Sequence, residues 1–341
     1  MKFLIGFILV CCNIYSQECK IVTVAFYNVE NLFDCEDDPL TFDNDFTPLG
    51  KNNWTENRLD LKLEKIAKTI SLIGYTKTKK PPLLIGLAEV ENKFVLERLI
   101  SQKSLKEIDY GIVHFNSPDR RGIDVGLLYD RMLFKLKNTQ KHKLKLSKNI
   151  NETIYTRDQL CVSGYLDEEL IYCIINHWPS RRGGQKQSEP RRIRAAKLTK
   201  KIVDSIYKIN YNANVIIMGD FNDNPTDKSF KDILKAKENI IEVVDESYLY
   251  NPMESIYKKG IGSLGYRDQW SLFDQIIFSK YLTDTIGWKC WGSKVYNPDY
   301  LKCSRGKYKG YPNRTFAGRK YTKGYSDHFP VFTYLVKKVA E

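Results

Sequence analysis

Six short polar motifs stand where an apolar run begins or ends, the usual place for catalytic groups on a layered α/β scaffold. Their key residues, in chain order, are Asn28, Glu89, His177, Asp220 with Asn222, Asp274, and Asp327 with His328. Asp220 and Asn222 are two residues apart in an extended segment, so their side chains can point the same way and share one phosphoryl group. No single motif is specific, but the set of six is.

Two of these motifs have an ordinary structural interpretation as well as a chemical one. Glu89 ends an apolar run and offers a hard oxygen ligand of the kind that Mg²⁺ prefers, yet it could equally be a surface residue that caps the next helix. His177 precedes Trp178 and Pro179 at a strand end, where a histidine satisfied within the core is the alternative.

Hydrophobic periodicity predicts the elements that must position these residues. Short apolar runs bounded by turn residues predict eight buried strands: 21–27, 83–87, 110–115, 124–129, 171–175, 215–218, 275–278 and 329–335. Apolar residues at steps of three and four predict helices over 58–73, 92–100 and 190–207. The mixed order favours a layered α/β fold, with 249–270 and 297–325 as surface loops.

Together, GDFN at 219–222 and SDHFP at 326–330 form a specific combination. With the other motifs, they make the chain resemble the endonuclease/exonuclease/phosphatase superfamily over nearly all of its length. The HWP at 177–179 resembles the branch that contains deoxyribonuclease I, sphingomyelinases and inositol phosphatases. The resemblance implies an α/β fold, a four-layer sandwich with two central, mainly antiparallel sheets flanked by helices. It also implies a single catalytic domain over 20–341.

The resemblance further implies a role for each motif. Glu89 is the principal metal ligand, with Asn28 and Asp327 close to the metal or the phosphate, and the cofactor is Mg²⁺, with Mn²⁺ as a substitute and a structural Ca²⁺ as an additional ion. Catalysis falls to His177, Asp220, Asn222, Asp274 and His328. Asp274 orients His328, which takes a proton from water while His177 donates one to the leaving oxygen; Asp220 is an alternative base.

Four further residues adjoin the proposed site. The deoxyribonuclease I branch orients the histidine equivalent to His177 with a glutamate, for which the nearest candidate here is Asp124; a strand-edge aspartate paired with Arg121 is equally compatible. Arg121, Arg181 and Arg182 lie on loops next to the active-site strands, where contacts to substrate phosphate are expected, although a solvated rim is the alternative.

The net charge of the chain restricts the class of substrate but does not identify one substrate. The chain has 54 Lys+Arg and 41 Asp+Glu, a formal net charge of +13, which attracts polyanions such as nucleic acid or anionic lipid headgroups. A secreted, metal-dependent endonuclease that prefers DNA is the first hypothesis. An enzyme of the same superfamily acting on inositol phosphates or sphingomyelin is the second. A protein that binds polyanions without catalysis is the third.

The N-terminus indicates export. Lys2 and the apolar run 3–10 are typical of a signal peptide over residues 1–16, so a secreted or periplasmic, monomeric protein without stable membrane insertion is expected. Six cysteines remain after its removal, and an oxidising compartment permits disulfides. We predict one between Cys290 and Cys303, because the segment between them has the character of a loop.

Overall fold

The computed structural model describes residues 18–149, 152–284 and 286–339. Nineteen strands follow in chain order: β1 (Cys19–Leu32), β2 (Leu84–Val90), β3 (Tyr110–His114), β4 (Asp124–Asp130), β5 (Phe134–His142), β6 (Leu146–Asn149), β7 (Glu152–Ile154), β8 (Gln159–Leu166), β9 (Glu169–His177), β10 (Asn214–Asp220), β11 (Ala236–Lys237), β12 (Leu249–Tyr250), β13 (Leu264–Tyr266), β14 (Gln269–Ser271), β15 (Asp274–Ser279), β16 (Lys289–Val295), β17 (Phe316–Ala317), β18 (Lys320–Tyr321) and β19 (Val331–Lys338). The α-helices are α1 (Glu56–Leu72), α2 (Tyr75–Thr78), α3 (Lys93–Ile100), α4 (Gln185–Ile209) and α5 (Met253–Lys258). The predicted signal peptide lies outside the described residues.

Two large mixed sheets form the centre of the molecule. The first has the order β16-β19-β1-β2-β4-β3, and the second has the order β11-β12-β15-β10-β9-β8-β5. Within the first sheet only β1 and β2 are parallel, and within the second only β9 with β10 and β11 with β12 are. Because the remaining pairs are antiparallel, the predicted pair of mainly antiparallel sheets is confirmed.

Alternation of side chains along the strands builds the layers. In β1, Val24 and Phe26 pack between the two sheets, whereas Ala25 and Tyr27 pack against α1 and α3 on the outer face. A third cluster joins the outer face of the second sheet to α4. Both faces of each sheet are therefore buried, which is why the central strands read as nearly continuous apolar runs. The layers are helix, sheet, sheet and helix, as predicted.

Each of the eight predicted strands overlaps an observed one, and all three predicted helices are present. The start of α4 differs most, since the helix begins at Gln185 and includes Pro190 in its second turn. The segment 249–270, predicted as a surface loop, contains α5 and the hairpin of β13 and β14.

The disulfide prediction is wrong, because Cys290 and Cys303 are not joined. The Sγ atom of Cys290 lies 3.4 Å from Thr333 Oγ1, on the strand next to its own. Cys303 instead donates to the carbonyl oxygen of Pro312 at 3.6 Å. The helices within the described ranges include none that is long and apolar enough to span a membrane.

A buried ion pair holds α4 against the loop that follows β10. Arg192 and Asp223 are 0% and 2% exposed, and Nε of Arg192 lies 2.5 Å from Asp223 Oδ1. Burial raises the pKa of Asp223 to about 6, although the Arg192 guanidinium opposes the shift. The pair fixes the residue that directly follows Asn222.

We predict that Arg192→Leu lowers the free energy of unfolding by about 3–5 kcal/mol, because it leaves the Asp223 carboxylate buried without its main partner. Urea unfolding of the variant and the parent protein measures the change. Arg194→Leu, on the exposed face of the same helix, is the control and should shift stability by no more than about 0.5 kcal/mol. Equal stability of Arg192→Leu and the parent would contradict the structural role of the pair.

Candidate active site

Strand polarity brings all six sequence motifs to one end of the sandwich. Asn28 and Glu89 come at the ends of the parallel neighbours β1 and β2, and His177 and Asp220 end the parallel neighbours β9 and β10. Asp274 begins β15, antiparallel to β10, and is directly opposite Asp220 in the register. The 326–330 motif precedes β19, which runs antiparallel to β1 and so starts at the same end.

A hydrogen bond joins the two sheets across this end. The Nδ2 atom of Asn28 donates to Asp220 Oδ2 at 3.0 Å, and both residues are at least 98% buried. Asn28 Oδ1 accepts from the backbone amide of Glu30 at 3.0 Å, and Asp220 Oδ1 accepts from the amide of Asn222, also at 3.0 Å. Asn28 and Asp220 thus orient each other. Each side chain is also fixed by the backbone amide two residues further along its own segment.

Several site residues occupy the left-handed backbone region that L-residues adopt rarely. The φ angle is 62° at Glu89, 52° at Asn222, 51° at Glu30 and 52° at Asn31. Glu89 is held in this conformation by a 3.0 Å bond from the Asn31 amide to its Oε2 atom. Such backbone costs about 1–3 kcal/mol per residue and clusters at functional sites. The strained residues Glu30, Asn31 and Glu89 lie where the pairing of β1 and β2 becomes irregular.

Asp274 and His328 form the tightest side-chain pair of the site. Asp274 Oδ2 lies 2.6 Å from His328 Nδ1 and also accepts from Ser263 Oγ at 2.5 Å. His328 Nε2 lies 3.9 Å from Asp220 Oδ2. Burial alone would lower the pKa of His328, but the carboxylates of Asp274 and Asp220 outweigh burial and raise this pKa well above its ordinary value.

His177 has a different electrostatic environment. Its Nε2 atom lies 3.6 Å from Asp220 Oδ2 and 3.9 Å from Glu89 Oε1, whereas its Nδ1 atom is buried with no hydrogen-bond partner among the described residues. Burial, the guanidinium groups of Arg157 and Arg121, and His328 lower its pKa well below the ordinary value. The pKa values of the two imidazoles of the site are therefore shifted in opposite directions.

Asp124 does not orient His177, and this prediction is corrected. Its Oδ1 atom accepts from the amide of Ser117 at 2.9 Å and from the Ser117 hydroxyl, and its Oδ2 atom lies 3.2 Å from Nε2 of His114. Asp124 is thus turned toward the 114–117 segment. Arg121 does not pair with it either, since Arg121 Nε lies 3.7 Å from Asp119.

The three predicted arginines occupy different positions. Arg121 is half-exposed and close enough to His177 to affect its pKa. Arg181 forms its contacts within the protein. Its Nε atom donates to the carbonyl oxygen of Asn222 at 2.8 Å, and its Nη2 atom donates to Asp227 Oδ2 at 2.6 Å. It stabilises the loop after β10. Arg182 is exposed on the same loop as Arg181.

Sequence reasoning missed three cationic residues at the site. Arg157 is buried and donates to the carbonyl oxygen of Trp178 at 2.7 Å. Arg314 bonds Asp327 Oδ2 at 2.9 Å. Lys62 is buried on α1 and donates to the Glu30 carbonyl oxygen and to Thr315 Oγ1, both at 2.6 Å. The sequence carried one signal, since Lys62 lies between Leu59, Leu63 and Ile66 on the apolar face of its helix.

The oxygen atoms at this end fit a hard divalent cation. Glu89 and Asp327 provide carboxylates, both of which act electrostatically on the buried ammonium of Lys62. Asn28 Oδ1 keeps one lone pair besides the one that accepts from Glu30. Neither cysteine nor a cluster of imidazoles stands among these donors, and oxygen ligands favour Mg²⁺ or Ca²⁺ over softer metals. Glu89, Asp327 and Asn28 would hold such an ion.

Asp220, Asp274 and His328 also offer ligand atoms within 4.8 Å of one another. This trio is better described as a hydrogen-bonded system than as a metal site. The atoms of Asp274 and His328 that approach most closely are already bonded to each other at 2.6 Å. A cation that used these same two atoms would have to displace the proton between them.

Comparison with known proteins agrees with this geometry. The family model described as "Endonuclease/Exonuclease/phosphatase family" matches residues 23–337. The sequence matches no curated protein. A TDP2 from D. rerio, humanized by 14 mutations, superposes with a TM-score of 0.57 at 13% identity, covering 92% of this chain and 98% of the other.

Two Bacteroides thetaiotaomicron structures are also similar. An endonuclease/exonuclease/phosphatase family protein has a TM-score of 0.53 at 16% identity and covers 95% of this chain and 98% of its own. A mannosyl-6-phosphatase has a TM-score of 0.52 at 16% identity and covers 92% of this chain and 99% of its own. At these identities the structural likeness establishes the fold. The family match, which spans nearly all of the described residues, establishes that this chain belongs to the endonuclease/exonuclease/phosphatase family and is a metal-dependent hydrolase of phosphate esters.

Proposed function

We propose that the protein is a Mg²⁺-dependent phosphodiesterase that cleaves nucleic acid, preferentially DNA, as an endonuclease. The observation that carries this proposal is a groove of about 820 Å³ that reaches Asp327 and Arg314 at the active site. Its walls are the β13–β14 hairpin and the segment 303–322. Its lining includes three tyrosines and three basic residues, namely Tyr266, Tyr308, Tyr311, Arg267, Lys307 and Arg314.

The aromatic residues of this groove are placed to stack on bases. Tyr266 and Tyr308 are 64% and 55% exposed, and each ring has a cation near it, Arg267 and Lys307 respectively. Tyr311 is fixed between the two walls, because its hydroxyl accepts from the Asp268 amide at 2.7 Å and donates to Asp268 Oδ1 at 3.1 Å. Exposed aromatic rings beside a basic groove are how proteins bind single-stranded nucleic acid without strong sequence preference.

The charge of the segment that forms one wall of the groove favours a polymer over a small phosphate ester. Residues 301–325 contain eight Lys and Arg and no Asp or Glu. A single phosphate needs few cations, whereas a nucleic-acid backbone presents one charge per nucleotide along the whole groove. One similar D. rerio TDP2 structure is complexed with a single-strand DNA product. Because the chain is also similar in structure to a mannosyl-6-phosphatase, a sugar phosphate is the competing substrate that the experiments should include.

The geometry supports Asp220, the alternative base of the sequence analysis, as the group that accepts the proton of the attacking water. Asp220 Oδ2 lies between His177 and His328, 3.6 Å and 3.9 Å from their Nε2 atoms. His328 has carboxylates on several sides, so it keeps its proton and can donate Nε2–H to the leaving oxygen. Asp274 holds the ring in the orientation that this donation requires. A bound cation would neutralise phosphate charge.

His177 and Asn222 serve the phosphate itself in this proposal. A neutral His177 with Nε2–H directed at Asp220 and Glu89 can donate to a phosphoryl oxygen without carrying charge. The Asn222 amide nitrogen donates to the Trp178 carbonyl oxygen at 3.0 Å, which fixes that side chain beside Asp220. Burial, followed by the nearby Arg157 guanidinium, lowers the pKa of His177 and so favours its neutral form.

Export, domain structure and oligomeric state complete the proposal. The apolar N-terminal run supports secretion or a periplasmic location. The lack of a Pro/Ser-rich linker supports one catalytic domain over 20–341. We propose that this domain acts as a monomer. N-terminal sequencing of exported protein and light scattering of the purified chain test these two points.

We predict that chelation abolishes DNA cleavage and that Mg²⁺ or Mn²⁺ restores it, because the available ligands are oxygens. Glu89→Gln keeps the side-chain volume and removes the charge, so it should lower turnover at a fixed Mg²⁺ concentration by about 10²-fold. Plasmid DNA, RNA, sphingomyelin, inositol phosphates and mannose 6-phosphate form the substrate panel. Exclusive turnover of a non-nucleotide substrate would contradict the proposal.

We predict that His177→Ala and His328→Ala each lower DNA turnover by at least about 10²-fold. In the double variant, the fold loss of turnover should be smaller than the product of the two single losses. A p-nitrophenyl ester of thymidine monophosphate should restore much of the His328→Ala loss, because its leaving group needs no proton. It should not restore the loss in Asp220→Asn.

His142→Ala is the matched control for these variants. His142 ends β5, the edge strand of the second sheet, three strands away from β10. The turnover of His142→Ala should therefore stay near that of the parent protein. His114 is unsuitable, because it contacts Asp124. Equal losses of His328→Ala on both substrates would remove its role as the acid.

We predict that Tyr266→Ala and Tyr308→Ala raise the KM for single-stranded oligonucleotides by about 5- to 100-fold each, since one base stack contributes about 1–3 kcal/mol. Tyr75→Ala is the control. Tyr75 is 43% exposed and has Lys79 near its ring, just as Tyr266 has Arg267 near its ring. Unlike Tyr266, it lies at the end of the sandwich opposite the active site. An unchanged KM in both groove variants would contradict base stacking there.

A further inference from the structure

A buried lysine that the proposed chemistry does not use joins α1 to one wall of the groove. Lys62 is 1% exposed, and burying an ammonium group is costly unless its protons are hydrogen-bonded. The three acceptors that it contacts are neutral oxygens. Its Nζ atom donates to the Glu30 carbonyl oxygen and to Thr315 Oγ1, both at 2.6 Å, and to the Tyr325 carbonyl oxygen at 3.5 Å. Each of the three ammonium protons therefore has a partner.

These contacts close the base of a hairpin that belongs to the groove wall. β17 and β18 pair with each other between Thr315 and Tyr325. Three residues of this part of the chain line the groove, namely Ala317, Gly318 and Thr322. The Thr315 amide also donates to Glu30 Oε2 at 2.6 Å. The position of the hairpin relative to the end of β1 therefore depends on Lys62 and Glu30.

The same side of α1 holds the hairpin at two further points. Arg58, Lys62 and Lys65 follow one another at steps of four and three, so they lie on one side of the helix. The Arg58 guanidinium lies 4.3 Å from the centre of the Tyr321 ring, and Lys65 donates to the carbonyl oxygen of Lys323. Because the hairpin has no Asp or Glu, these helix cations hold it through neutral oxygens and an aromatic ring.

The contact with Tyr325 lies next to a proposed metal ligand. Tyr325, whose carbonyl oxygen accepts from Lys62, stands two residues before Asp327. Between them, the Oγ atom of Ser326 donates to the carbonyl oxygen of Asn28 at 2.6 Å. The chain is thus held from α1 and from β1 immediately before it brings Asp327 into the active site.

We propose that Lys62 is a positioning residue, which fixes the β17–β18 hairpin, and with it one wall of the groove, against the end of β1. The inference rests on the proposed function, since the groove is taken to bind nucleic acid. Lys62 is covered by the protein, so it acts on a substrate only through the residues that it holds. An apolar side chain in its place would leave three oxygens without this donor, and the hairpin would separate from α1 more readily.

Hydrogen–deuterium exchange of the full mature protein tests this link without any substrate. Lys62→Met keeps an unbranched side chain of similar length and removes the ammonium group. Amides of the 313–325 segment should exchange at least about tenfold faster in this variant, because hydrogen bonds from a charged donor are lost there. Amides of β10 should exchange at the parent rate. Lys68→Met, on the exposed side of α1, is the matched control and should change neither region.

Steady-state kinetics then show whether the wall matters to the substrate. In Lys62→Met, the KM for a single-stranded oligonucleotide should rise by at least about fivefold, because a displaced wall loses contacts with the bases. The KM for the p-nitrophenyl ester of thymidine monophosphate should stay near that of the parent, because this compound is too short to extend along the groove. Loss of folded protein would instead lower the turnover of both substrates and leave both KM values unchanged.

A second variant removes one acceptor of the same ammonium group. Thr315→Val should also raise the exchange of the 313–325 segment and the KM for the oligonucleotide, and it replaces Lys62→Met if that variant fails to fold. In the double variant, the rise in KM should be smaller than the product of the two single rises, because both changes break one contact. Parent-like exchange in both single variants, or faster exchange with an unchanged oligonucleotide KM, would overturn the proposal. Failure of the proposed function has a different signature, since the parent protein itself would then cleave no oligonucleotide.

Discussion

Buried negative charge at one end of the sandwich is the constraint on which the rest of this structure depends. Carboxylates of Glu89, Asp220, Asp274 and Asp327 are brought together by strand ends from both sheets. Taking such groups out of water is costly unless each is paired or hydrogen-bonded. The surrounding protein is therefore organised around neutralisation, first by its own cations and backbone amides and then by the metal that the family uses.

The three cations near the site come from distant parts of the chain. Lys62 reaches in from α1, Arg157 lies beneath His177, and Arg314 covers Asp327 from the basic segment. These cations do not fill the centre of the site, where Glu89 keeps an oxygen directed toward His177. The same arrangement shifts the pKa values of the two histidines in opposite directions. With Asp220 as the proposed proton acceptor and His328 as the proposed proton donor, the site can run chemistry that needs both.

Much of the fold could be predicted because its buried strands are apolar on both faces, as in Val215 to Met218. The edge strand β5 escaped prediction for the opposite reason, since most of its residues are exposed and polar. The motif residues could be found because each stands at a strand end. Arg157 and Arg314 could not, because a cation brought to a site only by long-range contacts looks like any surface cation in sequence. Lys62 was signalled only by its place on the apolar face of its helix.

The Asp124 and Cys290–Cys303 predictions failed for a shared reason. Each assumed a pairing between side chains whose separation depends on loop conformation, which sequence spacing does not fix. Asp124 instead meets Ser117 and His114 on a neighbouring segment. By contrast, the Asp274–His328 pair was predictable, because Asp274 begins β15 and His328 directly precedes β19, and these two strands start at the same end of the two sheets.

We propose that the carboxylates at this end hold a catalytic divalent cation. Anomalous diffraction from crystals of the protein grown with Mn²⁺ measures this directly. We expect a strong peak at coordination distance, about 2.2 Å, from a Glu89 oxygen, with Asp327 or Asn28 as a neighbouring ligand and His328 still bonded to Asp274. A peak bonded to His328 and Asp274 in place of Glu89, or no peak at this end of the sandwich, would contradict it.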